Sequence, residues 1–87
     1  MDHSPGRILV VDDNEMNRDL LSRRLARKGH SVEVAEDGYR ALEMVEAGCF
    51  DLVLLDIMMP GIDGYEVLQK LREDHDPAGL PIIMATA

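Results

Sequence analysis

Three aspartates that follow short apolar segments could act together in one site. Asp12 and Asp13 come directly after segment 7–11, and Asp56 comes directly after segment 52–55. In an open α/β sheet, the carboxyl ends of parallel strands meet at one edge, and ligands bind there. If the first and third strands are neighbours, the three carboxylates converge. Their mutual repulsion then raises at least one pKa unless a cation is bound.

A hard divalent cation is the natural partner for such a cluster. Mg²⁺ takes oxygen ligands and commonly combines one or two carboxylates with a phosphate oxygen, so the pattern indicates phosphoryl chemistry. A lone aspartate after a strand more often caps a helix or closes a turn. Asp12, Asp13 or Asn14 could each supply the cap of the next helix, so the two neighbouring aspartates need not have equal roles. A third acid after another apolar segment is harder to explain by capping.

The elements that must position these acids alternate between strand and helix, which is typical of βα units around a parallel sheet. Segment 7–11 has a continuous apolar core, as expected for a strand that is buried on both faces. A helix that ends near Lys28 follows, with Gly29 at the position after the helix that glycine favours. Four apolar residues share one stripe of this helix: Met16, Leu20, Leu21 and Leu25.

The rest of the chain continues this alternation. Segment 31–35 alternates apolar and polar residues, which predicts a strand nearer the edge of the sheet. Segment 52–55 is apolar throughout and predicts a second strand that is buried on both faces. The other predicted elements are a helix that ends near Gly48, a helix at 64–73 and a fourth strand at 82–86.

Length and charge limit the class of protein. The 87 residues include 17 acidic and 9 basic side chains, which gives a net charge of -8. A chain of this length builds one domain with a modest core. The negative charge argues against direct binding to nucleic acid or to an anionic membrane, because both are bound through clustered Lys and Arg.

Cysteine usage and the short apolar segments indicate a cytoplasmic protein. Cys49 is the only cysteine in the sequence, which excludes an internal disulfide and a zinc cluster rich in cysteine. The apolar segments are far shorter than the roughly 20 residues that span a bilayer. Residues 1–6 lack the hydrophobic segment of a signal peptide. Met16, Met44 and Met84 fall in helix or strand patterns, and we expect these methionines and Cys49 to be buried in the core.

Three segments carry a family resemblance: VVDDN at 10–14, DLVLLDIMMPGIDG at 51–64 and PIIMATA at 81–87. In this order and spacing they resemble the receiver domain of two-component response regulators, and the resemblance extends from Arg7 onward. It implies a CheY-like or flavodoxin-like doubly wound parallel sheet with the strand order 2-1-3-4. The chain then consists of a tail at 1–6 and a receiver domain at 7–87.

The resemblance also implies roles for individual residues. Asp56 would accept a phosphoryl group from the phosphohistidine of a sensor histidine kinase or a phosphotransfer protein. Asp12 and Asp13 would hold Mg²⁺ together with Asp56 and the backbone carbonyl of Met58. Thr86 would donate a hydrogen bond to the phosphoryl group and signal the change. Such a domain promotes only its own phosphorylation and dephosphorylation and is otherwise not an enzyme.

The sequence departs from the family pattern after the fourth strand, where the family has a further helix, a fifth strand with a lysine, and a fifth helix. Lys28 and Lys70 lie on helices whose ends point elsewhere, so neither replaces that lysine. We therefore expect a truncated receiver that associates with a second copy through the edge of the fourth strand or through the first helix. One alternative is a truncated receiver that serves only as an interaction or dimerisation module. Another is an enzyme of the haloacid dehalogenase type, which requires a second aspartate where this chain has Met58.

Overall fold

Strands and helices alternate along the chain in the computed structural model, which describes residues 6–85. Each predicted element is present, with small shifts at its ends, and Thr86 lies outside the described residues. None of the described helices has the length and apolar character needed to cross a membrane. The elements are β1 (Arg7–Val11), α1 (Glu15–Arg27), β2 (Ser31–Ala35), α2 (Gly38–Ala47), β3 (Leu52–Asp56), α3 (Gly64–Asp74) and β4 (Ile82–Ala85).

The strands form one parallel sheet in the order β2-β1-β3-β4. This order and the α/β class confirm the prediction. β1 and β3 occupy the centre, where Leu9, Val53 and Leu55 are completely buried. β2 lies at an edge, in agreement with its alternating sequence. Because β1 and β3 pair directly, with Val11 opposite Leu55, the residues that follow them come to the same edge.

The hydrophobic core lies on the face of the sheet that α2 and α3 cover. Leu9 of β1 and Leu55 of β3 point to this face and join one cluster with the buried residues of the two helices. The start of α2 lies very close to α3 and to the loop before α3. A Cβ on Gly38 would lie 2.5 Å from side-chain carbons of both Ile62 and Val67. The two helices supply four apolar side chains to this core: Ala41, Val45, Val67 and Leu71.

The opposite face carries α1, which buries none of its residues. Met16 is 79% exposed and Leu20 is 49% exposed, so the expectation that Met16 fills the core is wrong. Ile83 of β4, which shares this face with Leu54, is 53% exposed. The expected burial of Cys49 is also wrong, because Cys49 is exposed. Met44 and Met84 pack against the core but are only half-buried, so their expected burial is met in part.

Each helix begins at an amide or carboxylate cap. Asn14 Oδ1 accepts a hydrogen bond from the Asn17 backbone N–H at 3.0 Å, so Asn14 supplies the cap of α1. Asp37 and Asp63 cap α2 and α3 in the same way. Gly29, with φ of 93°, directly follows the cap at the end of α1, a backbone conformation that glycine adopts at little cost.

Candidate functional site

The structure brings Asp12, Asp13 and Asp56 together at the carboxyl edge of the sheet. One carboxylate oxygen from each residue lies within 4.8 Å of the others. Asp12 is 8% exposed and Asp56 is 7% exposed, whereas Asp13 is open to solvent. The pairing of β1 with β3 produces this convergence, because the two central strands end side by side.

Asp12 is held in place by three hydrogen bonds. Its backbone N–H donates to the carbonyl of Ala35 at 3.2 Å, which ties the end of β1 to the end of β2. Its carboxylate Oδ1 accepts from the backbone N–H of Asn14 at 2.8 Å. Its carbonyl accepts from Arg18 Nη1 at 2.8 Å. Because Asn14 caps α1, neither Asp12 nor Asp13 serves as the cap of this helix.

Asp56 is the acid whose ionisation the site perturbs. Burial raises the pKa of its carboxyl group above the ordinary value of 3.8. A hydrogen bond from the Met58 backbone N–H, at 3.3 Å to Oδ1, acts in the other direction and lowers the pKa. The negative charges of Asp12 and Asp13 raise the pKa further, as does a side-chain hydrogen bond with Asp13. The net effect is a carboxyl group that favours its neutral form more than a free aspartate does.

The donor set fits a hard divalent cation. Within residues 6–85, the ion pairs join other side chains, and none of them includes one of these three aspartates. Three carboxylates that lie so close together repel one another, and two of them are withdrawn from water. A cation with oxygen ligands would offset that repulsion. Asp12, Asp13 and Asp56 are therefore the residues that could hold Mg²⁺.

The remaining predicted site residues are placed differently. Met58 lies in the loop after β3; its side chain is exposed and its backbone N–H bonds to Asp56. Thr86, the predicted hydroxyl donor, lies outside the described residues. Two residues near the site were not predicted from the sequence. One is Arg18, which reaches the Asp12 carbonyl. The other is Gly64, where a Cβ would collide with the backbone carbonyl of Asp56.

The sequence contains a clear indication that Gly64 lies at a tight turn into a helix, and a weaker indication that Arg18 lies near the site. Gly64 follows Asp63, the cap of α3, so its position at a tight helix start is readable from the sequence. Its backbone N–H donates to the carbonyl of Ile57 at 2.9 Å, which places the start of α3 against the end of β3. Arg18 lies on a helix with several other arginines, so its residue type and position alone do not distinguish it. Its contact with the Asp12 carbonyl is seen only in the folded chain.

Comparison with known proteins gives one consistent family. The family model described as the response regulator receiver domain matches residues 8–87 of this chain. The chain is 48% identical over 83 residues to the response regulator MprA of Mycolicibacterium vanbaalenii, which covers 95% of this chain and 35% of that protein. It is 44% identical over 81 residues to the transcriptional regulatory protein TcrA of Mycobacterium tuberculosis, with 93% and 31% covered. The chain thus spans about a third of the length of these relatives.

Solved structures agree with the sequence comparison. The response regulator protein TrrA from Thermotoga maritima, solved in complex with Mg²⁺-BeF, superposes with a TM-score of 0.89 at 44% identity, covering 94% of this chain and 70% of that one. The chemotaxis response regulator CheY4 of Vibrio cholerae gives 0.87 at 32% identity, with 93% and 68% covered. On the fold, the family match and these likenesses, the chain belongs to the family of response regulator receiver domains.

Proposed function

We propose that this receiver domain is the phosphoacceptor of a two-component phosphorelay. Asp56 accepts a phosphoryl group from the phosphohistidine of a sensor histidine kinase or a phosphotransfer protein. The observation that carries this proposal is the convergence of Asp56 with Asp12 and Asp13 at the edge where the central strands end. The structural neighbour TrrA, solved with Mg²⁺-BeF, supports the same metal for this site.

The chain's own groups suit the transfer. A carboxylate oxygen of Asp56 bonds to phosphorus while the bond from phosphorus to the imidazole nitrogen breaks, and the electron pair of that bond stays on the imidazole. The Met58 N–H, bonded to Oδ1, fixes the rotation of the carboxyl group about its last torsion. When Mg²⁺ is bound, it offsets the charge on the transferring group. Asp12, Asp13, Asp56 and the backbone carbonyl of Met58 are the groups we assign to hold it.

Thr86 completes the proposed site. A hydroxyl at the end of the fourth strand can donate one hydrogen bond to a phosphoryl oxygen, and we assign that role to Thr86 on the family resemblance. The domain then promotes its own phosphorylation and dephosphorylation without acting on another substrate. We also propose a cytoplasmic location. Its net charge of -8 supports a domain that does not itself contact nucleic acid or an anionic membrane.

We further propose that the domain associates with a second copy through the edge of β4 or through α1. β4 is an edge strand of the described sheet, and edge strands offer unpaired backbone groups to other chains. Ile83 and Leu20 are about half exposed on the same face. Burying apolar surface contributes roughly 25 cal/mol per Å², so a partner on this face stabilises the fold.

The alternatives have less support. A receiver that acts only as an interaction module would not need three carboxylates that converge at the edge of the sheet. A hydrolase of the haloacid dehalogenase type would need a second aspartate two residues after Asp56, and Met58 stands there. The interaction module leaves the acidic cluster without a role, and the hydrolase disagrees with the family match.

Intact-mass measurement tests the phosphoacceptor role. The chain is incubated with acetyl phosphate and Mg²⁺, and we expect the wild type to gain one phosphoryl group and Asp56→Asn to gain none. Asp74→Asn, at an exposed position on α3, is the matched control and should behave as the wild type does. Equal modification of Asp56→Asn would remove Asp56 from the role. Failure to modify any of the three proteins would favour the interaction module.

A further inference from the structure

Arg18 contacts the acidic cluster, and the proposed phosphoryl transfer gives this residue no role. It lies in the second turn of α1, and its Nη1 donates a hydrogen bond of 2.8 Å to the backbone carbonyl of Asp12. Its own backbone N–H donates to the carbonyl of Asn14 at 3.0 Å. Side chains on a helix lean toward its N-terminus, so an arginine in the second turn reaches back over the start of the helix. The side chain of Arg18 thus ties α1 to Asp12, the residue that directly follows β1.

The direction of the contact separates Arg18 from the other cations of α1. Arg23 pairs with Asp19 at 3.2 Å on the exposed surface of the helix. Arg24 and Arg27 lie in the last turn, where the helix dipole favours cations. Arg18 lies near the opposite end, where the dipole gives a cation no such advantage, and its side chain is half-buried. A solvated, dipole-complementing role therefore explains the other three and does not explain Arg18.

The guanidinium binds the carbonyl of Asp12 and, within the described residues, forms no ion pair with Asp12, Asp13 or Asp56. The carboxylate oxygens of the cluster therefore stay available to a cation. With the Ala35 carbonyl on its N–H and the Asn14 N–H on its carboxylate, Asp12 has each of its polar groups oriented. Removing the bond to its carbonyl frees the peptide plane between Asp12 and Asp13, and both carboxylates project from the ends of that plane.

We propose that Arg18 is a positioning residue for the metal site, which fixes the peptide between Asp12 and Asp13 so that their carboxylates face a divalent cation together with Asp56. The inference rests on the proposed function, since Mg²⁺ binding at these acids is part of it. Groups that hold metal ligands in place typically change metal affinity or activity by about 10- to 100-fold when they are removed. Arg18 acts through Asp12 and does not itself touch the metal or the phosphoryl group.

Calorimetric titration with MgCl₂ tests this role on the whole chain. We expect Arg18→Met to bind Mg²⁺ about 10- to 100-fold more weakly than the wild type, with Arg18→Lys between the two because one ammonium donor replaces the planar fork. Arg23→Met, which removes a cation from the exposed face of the same helix, is the matched control and should bind as the wild type does. Asp13→Ala should abolish the binding.

A spectroscopic readout distinguishes positioning from general loss of structure. A hydrogen bond to the Asp12 carbonyl polarises the peptide that ends in the Asp13 amide, so the ¹⁵N shift of that amide should move in both Arg18 variants and stay in Arg23→Met. If Arg18→Met lacks a cooperative thermal transition, Arg18→Lys against Arg23→Lys decides the matter. A several-fold loss of Mg²⁺ affinity confined to Arg18→Lys supports the role, and equal affinities overturn it.

The remaining outcomes separate the two proposals. A folded Arg18→Met with wild-type Mg²⁺ affinity overturns the role of Arg18 and leaves the phosphoacceptor proposal intact. An equal loss in Arg18→Met and Arg23→Met also overturns it, because the effect would then follow helix charge and not the contact with Asp12. Absence of Mg²⁺ binding by the wild type would overturn the metal site itself, and with it both proposals.

Discussion

The two faces of the sheet are covered to very different extents. On one face, α2 and α3 each bury apolar side chains, and they pack against one another as well as against the strands. On the other face, α1 contacts β1 and β2 but buries none of its residues, and Leu20 and Ile83 stay about half exposed. Most of the buried apolar side chains therefore lie on the face of α2 and α3, and Ile8 and Val10 of β1 are buried on the face of α1.

The acidic cluster lies at the end of the thinly covered face. Asp56 points to the same side of β3 as Leu54, two residues earlier, and Leu54 pairs with Ile83 of β4. Its backbone, in contrast, is packed against Gly64 at the start of α3. The well-packed face thus holds the position of the site, and of its three carboxylates only that of Asp13 is open to solvent. A change on one face should affect stability, whereas a change on the other should affect association or chemistry.

The largest expected effect is a difference in the free energy of unfolding between two leucine-to-alanine substitutions, one on each face of the sheet. Leu55→Ala removes a completely buried side chain from the core of α2 and α3, and we expect it to lower the free energy of unfolding by about 2–5 kcal/mol. Leu20→Ala, on the open face, should change it by about 0.5 kcal/mol or less. Urea denaturation followed by circular dichroism measures both. Similar losses in the two variants would mean that α1 packs as tightly as α2 and α3 do.

Association should depend on the open face alone. Ile83→Glu places a charge on the half-exposed edge strand, and we expect it to shift the chain from dimer towards monomer in light scattering coupled to size exclusion at micromolar concentration. Tyr39→Glu is the matched control, because Tyr39 is exposed on α2, which covers the other face of the sheet. A wild-type chain that is a monomer with a cooperative thermal transition would contradict the proposed association and show that the α2 and α3 face is a sufficient core.

Sequence patterns predicted the central part of this molecule well, for physical reasons. Continuous apolar segments favour the centre of a sheet, and β1 and β3 are central, although Leu52 and Leu54 of β3 are only half-buried. Strand ends in a parallel sheet share an edge, so Asp12 and Asp56 approach one another once β1 and β3 are neighbours, as they are here. These inferences depend on the period of a strand and on sheet topology. Neither requires knowledge of how a helix packs.

The features that were missed depend on tertiary packing. The periodicity of α1 shows that Met16 and Leu20 share a stripe, but it does not show whether a neighbour covers that stripe, and Met16 is almost fully exposed. Cys49 is apolar enough for a core, yet it lies in the turn before β3, where its side chain meets solvent. The contact of Arg18 with the Asp12 carbonyl joins α1 to the segment before it, and a pattern of residue types within one helix does not reveal such a contact.

The smallest expected effect concerns the charge of Asp56 and its dependence on pH. Because burial and the neighbouring acids raise the pKa of Asp56, its neutral form favours the folded state. That stabilisation is fully present below the pKa of an unfolded aspartate, about 3.9, and is lost as the pH rises through the folded pKa. At pH 7 without divalent cations, Asp56→Asn should therefore have a higher urea midpoint than the wild type.

The difference between the two proteins should shrink as the pH falls and disappear below about pH 4, where Asp56 is protonated in both states. Adding Mg²⁺ at pH 7 should also reduce the difference in urea midpoint, because a cation that binds only the folded wild type raises the midpoint of the wild type. Asp74→Asn, an exposed aspartate at the end of α3, should show neither trend. An Asp56→Asn variant that is less stable than the wild type at pH 7 would show that the ionised carboxylate stabilises the fold through contacts stronger than its burial and the repulsion from Asp12 and Asp13.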